Sequence, residues 1–485
     1  MSLEEIRKIR LDKLETVKKA GFNPYPAATS RTHSAAQAVA AFSELSQANQ
    51  KIVLVGRVRS LREHGGSTFA HVEDGTGLIQ IYFKKDELGE ERYKFFLENF
   101  DVGDFIEAVG VLFQTKKGEI TLRVSDFKML AKSLLPLPEK WHGLTDVEER
   151  LRKRYLDLIM APEIRELFVK KNIFWQSFRN YLLERGFMEV DTPALETVPG
   201  GADAEPFVTR YNALDMDVYL RISLELPLKK LIVGGFEKVF EIGKIFRNEG
   251  ISAEHLQDYL QLEFYWAYAD YETLMEFVEA MYKKMIQDVT GGLATAFKGQ
   301  TIDWSGKWPR VDYFELANRE LGIDLEKQSR DELFALAQKH NLNPEPHLGW
   351  GRLVDLIFKK QIRHKLVQPI FLMNPPVEIE PLAKRLENNP RKVQRVQVVA
   401  CGTELGKGFS ELNDPIDQRE RFEEQMKLRE QGDKEAQRLD EDFLIALEYG
   451  MPPTAGFGVS ERLFAVLMDK PVRETVFFPA MKPKT

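Results

Sequence analysis

Phe246-Arg247-Asn248-Glu249-Gly250, followed ten residues on by Leu260-Gln261-Leu262-Glu263-Phe264-Tyr265-Trp266, is the most informative stretch of this chain. The first segment ends a strand and enters a turn, and the second reads as the next strand. Arg247 and Glu249, two residues apart, project from one face if the strand continues through them. There an Arg can fork onto a carboxylate or phosphate while a Glu accepts from an amine. In isolation the same pattern also fits a surface ion pair worth under ~1 kcal/mol, so the surrounding chain has to decide.

Outward from this stretch, charged helices are expected at 146–159 and 161–185. Extended segments follow at Met188–Val190, Phe207–Thr209, Tyr219–Ile222 and Val239–Ile245, then a helix from Tyr271 to Val289. Residues 310–365 read as mainly helical, an insertion. Strands return at 369–373, 396–399 and 403–406, before a charged helix near 416–429. Short turns outnumber crossover helices, which favours an α+β domain on a mixed, mainly antiparallel sheet flanked by helices. Upstream the pattern differs. A helix over Leu3–Val17 is stopped by Gly21 and Pro24, and alanine-rich polar sequence runs to about 50. Five strands then follow, at 52–60, 68–73, 78–83, 104–114 and 119–124, with a helix at 90–99 before the fourth. That order matches a five-stranded OB-fold barrel, whose second and third strands commonly bind oligonucleotides. Leu134-Leu135-Pro136-Leu137-Pro138 reads as a linker, placing an N-terminal domain at 1–140 and a larger one at 141–485.

Composition narrows the classes. With 485 residues, 43% of them hydrophobic, the chain can bury more than one core. One cysteine, Cys401, excludes a disulfide framework and a thiolate zinc cluster and fits a reducing cytoplasm. No apolar run approaches the ~20 residues of a membrane span. The net charge of −7 argues against nucleic acid being coated everywhere, but residues 1–140 carry 21 basic against 19 acidic groups, which leaves room for a local phosphate-binding face. Gly243-Lys244 is followed by Ile245, so there is no P-loop, and no Gly-x-Gly-x-x-Gly or His-Glu-x-x-His occurs. A nucleotide would be held mainly by side chains.

Two further constellations carry chemistry. In Gly402-Thr403-Glu404-Leu405-Gly406-Lys407-Gly408-Phe409-Ser410-Glu411-Leu412-Asn413-Asp414, two carboxylates seven apart with glycines between them could meet around a hard cation. The same run would equally suit a glycine-bent edge strand. Gly456-Phe457-Gly458-Val459-Ser460-Glu461-Arg462 reads as a glycine turn entering a helix with an Arg in its first turn.

In this order, behind an OB-like barrel, these stretches resemble the class II aminoacyl-tRNA synthetases, and within them the lysyl branch. Gly186-Phe187-Met188-Glu189-Val190-Asp191-Thr192-Pro193 is similar to the first class motif, Phe246–Glu249 with Glu263 to the second, and Gly456–Arg462 to the third. Branch hallmarks are Arg154-Tyr155-Leu156-Asp157-Leu158, Pro199-Gly200-Gly201-Ala202, Gly408–Asp414 and Pro452-Pro453-Thr454-Ala455-Gly456. The resemblance implies ATP-dependent activation of L-lysine, transfer to lysine tRNA, Mg²⁺ and a homodimer built through the first motif. It implies that Arg247 binds the lysine carboxylate and α-phosphate, that Glu225 and the Gly201 backbone take the α-amine, and that Glu263, Tyr265 and Glu411 surround the side-chain ammonium, with Lys407 and Phe409 also lining the substrate site. Tyr259 and Arg462 would sandwich adenine, Glu249 and His255 would contact the nucleotide, and Glu404 and Glu411, with Gln397, would hold metal. Arg62, Phe69, Gln80 and Glu119 would read the anticodon.

The chain also departs from the family pattern. Glu254 stands where an Arg is usual, Gln397 where a metal-binding Glu is usual and Lys407 where an Asn is usual, and the third motif is one residue short. These departures suggest that Lys407 moves some anion binding from the second motif to the 402–414 segment. They also keep open a catalytically idle RNA-binding paralogue, alongside an aspartyl- or asparaginyl-type synthetase.

Overall fold

The computed structural model describes residues 1–138, 146–250, 255–432 and 436–483. It divides into two compact units, 1–145 and 146–485. The expected domain boundary at 140/141 and Glu254 both lie outside the described residues.

In the first unit, α1 (Leu3–Lys19) starts at Ser2, whose hydroxyl accepts from the Glu5 N–H while the Glu5 carboxylate accepts from the Ser2 N–H. Strands β1 (Ile52–His64), β2 (Ser67–Glu73) and β3 (Leu78–Lys84) are followed by helix α2 (Glu90–Asn99), then β4 (Phe105–Gln114) and β5 (Ile120–Ala131). They close a barrel in the order β1-β2-β3-β5-β4, with β3 and β5 parallel. A bulge between Val58 and Ser60 lets β1 pair with both β2 and β4 and run on to His64, past the Ser60 that sequence suggests. Helix α2 plugs the barrel with Phe96, stacked on Phe83 at 3.8 Å. The stretch read as alanine-rich polar sequence instead holds two short helices, Ala35–Ala40 and Phe42–Gln47. The first is started by a Ser34–Gln37 capping box that the alanines obscure.

The second unit contains helix α3 (Pro162–Leu183), strand β6 (Met188–Glu189), helix α4 (Glu225–Val233), and strands β7 (Lys238–Phe246) and β8 (Asp258–Ala267). Helix α5 (Tyr271–Thr290), strand β9 (Arg310–Asp312), helix α6 (Trp350–Gln361) and strands β10 (Ile370–Met373), β11 (Arg395–Ala400) and β12 (Thr403–Ser410) follow. The last labelled elements are α7 (Pro415–Glu430), β13 (Thr454–Ser460) and α8 (Arg462–Leu467). One eight-stranded sheet runs β9-β10-β11-β12-β13-β8-β7-β6, antiparallel except for the pairs β9–β10 and β6–β7 at its two ends. α3 and α5 cover one face. Phe174 and Phe178 of α3 and Leu274, Val278 and Tyr282 of α5 pack on Leu262, Phe264, Phe457 and Val459 of the central strands. Each such fully buried side chain contributes ~1.5–3 kcal/mol. Alternation along those strands sends their intervening residues to the opposite face, where the cavity lies.

Residues 310–365 do contain helices, but they begin with β9, a strand of the main sheet, and their core takes in Leu372 of β10 and Val399 of β11. Arg154 of the 154–158 hallmark is a structural staple. Buried at 1% exposure, it pairs with Asp157 at 2.6 Å and donates to the carbonyls of Glu474, Val476 and Phe477. Among the described residues no helix is long and apolar enough to cross a membrane.

Candidate active site

Glu263 and Tyr265 share one face of β8, and register carries that face across the sheet. One row runs Glu263–Gly458–Lys407–Gln397 through β8, β13, β12 and β11; the next runs Tyr265–Gly456–Phe409–Arg395. The two glycines are therefore strand residues, not the turn that the sequence suggests. A Cβ at Gly456 would stand 2.3 Å from Glu411 Oε1 and 2.3 Å from the Tyr265 ring, so only glycine leaves the cavity between those side chains. Likewise β12 is a central strand and not an edge. Its pairing shifts between Val398 and Val399, leaving Leu405 as a bulge whose carbonyl accepts from Tyr282 Oη at 2.8 Å. The bulge turns Glu404 to the face that carries Lys407.

These rows floor a cavity of about 290 Å³. One end of it gathers three buried acidic side chains, Glu225, Glu263 and Glu411, at 6%, 4% and 1% exposure. Glu263 accepts from Ser223 Oγ, the Leu224 N–H, Gln261 Nε2 and Tyr265 Oη at 2.6–3.0 Å, which fixes its position. Lys229, one helical turn after Glu225 on α4 and fully buried, was not singled out by the sequence. Its ammonium lies 2.6 Å from Glu225, touches Glu411, and sits over the Phe409 and Phe443 rings. Burial opposes its charge, but the two carboxylates outweigh that and raise its pKa. Burial pushes the Glu225 and Glu411 carboxyls up, Glu411 well above the usual range, with repulsion among the acids adding to it and Lys229 opposing it. Gly201, with φ +82°, brings its backbone against this end, where a Cβ would come 2.9 Å from both Glu225 Cβ and Ser223 Oγ.

Arg247 lies one residue past the end of β7, so Arg247 and Glu249 are loop residues and do not share a strand face. Its guanidinium lies over the Tyr259 ring at 5.8 Å and donates to the Ile222 carbonyl at 3.3 Å. Arg462 opens α8, and the preceding Glu461 pins that start by accepting from the Leu260 N–H at 2.9 Å and Lys171 at 2.7 Å. Arg247, Tyr259 and Arg462 all line the cavity, whereas Glu249 and His255 do not. Both flank the stretch 251–254.

The far end is cationic. Burial works against the charge of Glu404, but Lys407, Arg395, Arg462 and Lys359 outweigh it and hold its carboxyl at about 2. Gln397 donates its amide to Glu404. Lys407 lies 3.3 Å from Glu380, which also pairs with Arg395 at 2.8 Å. Glu411 is turned to Lys229 at the opposite end of the site, so Glu404 and Glu411 do not form the joint cation seat expected from their spacing. Among the described residues no group of three or more His, Cys, Asp or Glu is placed to hold a metal. Arg352, Asp355 and Lys359 of α6 complete this wall, a contribution of the 310–365 region that its helical periodicity gave no sign of.

In the first unit, Arg62 and Phe69 are cross-strand partners on β1 and β2, and His71 and Gln80 are partners on β2 and β3. Gln80 is buried, donating to Glu119 at 2.8 Å and accepting from Thr121 at 2.8 Å, and Glu119 also meets His71 at 2.9 Å. The four expected residues thus form one patch, with His71 an unforeseen member. Phe69 continues into an aromatic row, 4.6 Å from Tyr82, which lies 6.0 Å from Phe113.

Residues 146–482 match the family described as tRNA synthetases class II (D, K and N), and residues 52–130 match the OB-fold nucleic acid binding domain. The chain is 44% identical to the lysine–tRNA ligase of Halalkalibacterium halodurans, over 100% of this chain and 98% of that protein. It is 44% identical to that of Carboxydothermus hydrogenoformans over 99% of each, and to that of Roseiflexus castenholzii over 100% of each. With a catalytic unit and a barrel both matched and full-length identity at this level, the chain belongs to the lysine–tRNA ligase branch of the class II tRNA synthetases.

Proposed function

We infer that this chain activates L-lysine with ATP to lysyl-adenylate and transfers the lysyl group to the 3′ end of lysine tRNA. The observation that carries the reading is a charge count. Glu225, Glu263 and Glu411 face one resident ammonium, Lys229, so beside Arg247 the pocket holds two more buried carboxyl groups than ammoniums to pair with them. A diamino acid with one carboxylate supplies the two missing ammoniums and an anion for Arg247. Buried charges persist only when paired. An aspartyl- or asparaginyl-type synthetase would need a cation here, and the site offers acids. An idle paralogue has no reason to keep Arg247, Glu263, Glu411 and Arg462 around one cavity.

In this reading Glu225 and the Gly201 backbone hold the α-amine, and Glu263, Tyr265 and Glu411 hold the side-chain ammonium beside Phe409. Arg247 and Lys407 face the carboxylate and α-phosphate, while Tyr259 and Arg462 flank adenine. Glu249 and His255 reach the nucleotide from outside the lining. The lysine carboxylate attacks the α-phosphorus and pyrophosphate leaves. No protein base is required, because an ionised carboxylate is already the nucleophile, so these residues act by position and by neutralising charge. Mg²⁺ would be held by Glu404 and the substrate phosphates, a donor set that suits it, and would supply further charge neutralisation. Phe69 would stack an unpaired base while Arg62, Gln80 and Glu119 meet base edges.

A homodimer is also part of this reading. It is supported by apolar side chains about half exposed, Met188 on the edge strand β6 and Leu195 and Val208 on a separate three-stranded sheet formed by Leu195–Glu196, Met216–Leu220 and Val208–Tyr211. We assign the cytoplasm, in keeping with one free cysteine. Lysine-dependent ATP–pyrophosphate exchange by the pure protein tests the whole reading; exchange with aspartate and none with lysine would overturn it.

A further inference from the structure

The phosphate end of the cavity separates a fixed ammonium from a single carboxylate. Gln397 and Lys407 are direct partners on β11 and β12, with Gly458 the next partner on β13. The Leu405 bulge sets Glu404 beside them, where the Gln397 amide donates to it. The other acids of this end are taken up by cations: Asp203 by Arg352 at 2.8 Å, Asp355 by Lys359 at 2.6 Å and Glu380 by Arg395 at 2.8 Å. Glu404 is thus the carboxylate whose hydrogen-bond partner is a neutral amide.

Lys407 is held differently from the other cations. Its Nζ is 3.4 and 3.3 Å from the two oxygens of Glu380, and 43% of its side chain remains open to the cavity. Because Glu380 keeps Arg395, Lys407 can turn to an arriving anion without leaving a buried carboxylate unpaired. Magnesium takes hard oxygen ligands, usually one or two carboxylates together with substrate phosphates. A floor of one carboxylate, one amide and one ammonium has ligands for one such ion and a positive charge where a second would lie.

We propose that Lys407 is a built-in counter-charge to the nucleotide phosphates, occupying the place of a second divalent cation, so that the pocket loads one such ion at Glu404. This rests on the reading of the cavity as an ATP site. Gln397, by donating to Glu404 and bringing no charge of its own, is the positioning partner that keeps the arrangement at one ion.

The test uses the full chain with α,β-methylene-ATP, which binds without reacting, and Mn²⁺ as the metal probe counted by electron paramagnetic resonance. The wild type should take up one Mn²⁺ per pocket, and the Gln397→Glu/Lys407→Asn double variant two. In EDTA, calorimetry should find nucleotide affinity at least 10-fold weaker in Lys407→Asn than in wild type, with the gap closing at saturating Mg²⁺. The thermal midpoint of each variant reports that it is folded. Two Mn²⁺ in the wild type, one in the double variant, or equal metal-free affinities would overturn the proposal while leaving the ATP site standing. No nucleotide binding by the wild type at any metal concentration would overturn both.

Discussion

Replacing Glu411 by Gln keeps the shape of the side chain and removes one of the three buried carboxyl groups that can pair with an ammonium. In the empty pocket this leaves Lys229 with Glu225 as its close partner, 2.6 Å away. When lysine arrives, its side-chain ammonium loses one carboxylate and meets a Lys229 whose charge is less well offset. Both changes act in the same direction. An ammonium and a carboxylate ~4 Å apart attract by ~4 kcal/mol at an effective dielectric of ~20, and a hydrogen bond to a charged group is worth a net ~1.5–3 kcal/mol. A loss of ~2–4 kcal/mol in lysine binding follows, ~30- to 1000-fold in affinity. Titration calorimetry with L-lysine measures it directly, and norleucine, which has the same apolar stem without the ammonium, is the control. The norleucine affinity should change little. Unchanged lysine affinity, or an equal loss for both ligands, would refute the assignment of Glu411 to the ammonium.

Three further outcomes are expected. Gly456→Ala places a Cβ 2.3 Å from Glu411 and from Tyr265, so it should cost ~1–3 kcal/mol of stability in denaturant melts and reduce lysine affinity at least ~10-fold. Phe69→Ala should raise the Michaelis constant for tRNA by the ~1–3 kcal/mol of one stacked base while lysine-dependent pyrophosphate exchange stays intact; loss of exchange would show that the barrel is not a separate reader. Burial pushes the Glu196 carboxyl up to about 8, Asp440 and Glu263 adding to this and Arg221 opposing it. The folded state then holds a proton that the unfolded chain releases near 4.5, so the stability present below that pH is lost as pH rises through 8. Glu196→Gln mimics the protonated form. It should match wild type at pH 4 and be more stable at pH 9 by ~1–3 kcal/mol, below a ceiling of ~5 kcal/mol because water reaches part of the group. The same difference at both pH values would count against a buried, protonated Glu196.

The barrel was legible because its strands carry a period of two between glycine-rich turns, and because α2 falls before the fourth strand. The glycine-rich segments misled for a physical reason. Glycine marks turns because it lacks a Cβ, and it is also what a central strand needs where other side chains must cross it. Gly406 and Gly408 lie under α5, where a Cβ would meet Tyr282 Oη at 2.4 Å and Leu274 at 2.8 Å; Gly456 lies under Glu411 on the opposite face. Composition cannot separate these uses, because the crossing side chains come from distant sequence. Lys229 was hidden in the same way, since Leu228-Lys229-Lys230 on a helix looks like ordinary solvated charge. The available signal was its spacing of four from Glu225, which stacks the two on one helix face, but only tertiary packing against Phe409 and Glu411 shows that this face is buried.

The placement of Glu404 turns on a single residue. Glu404 and Glu411 are seven apart, and on a regular strand an odd spacing sends them to opposite faces. Lys407, Phe409 and Glu411 keep a spacing of two and face the cavity, so a regular β12 would bury Glu404 against α5 in the apolar core. Leu405 prevents this. As the bulged residue it takes the core position itself, at 2% exposure, and shifts Glu404 to pair with Val399 on the cavity face. The bulge is fixed by Tyr282 of α5, whose hydroxyl donates to the Leu405 carbonyl left free of the ladder. A carboxylate at the cationic end thus depends on a tyrosine more than a hundred residues away, on the far side of the sheet. The two acids were visible in the sequence as a pair; their assignment to separate ends of one cavity, with Lys229 answering one and the Gln397 amide the other, is a property of the bulge and of the helix beneath it.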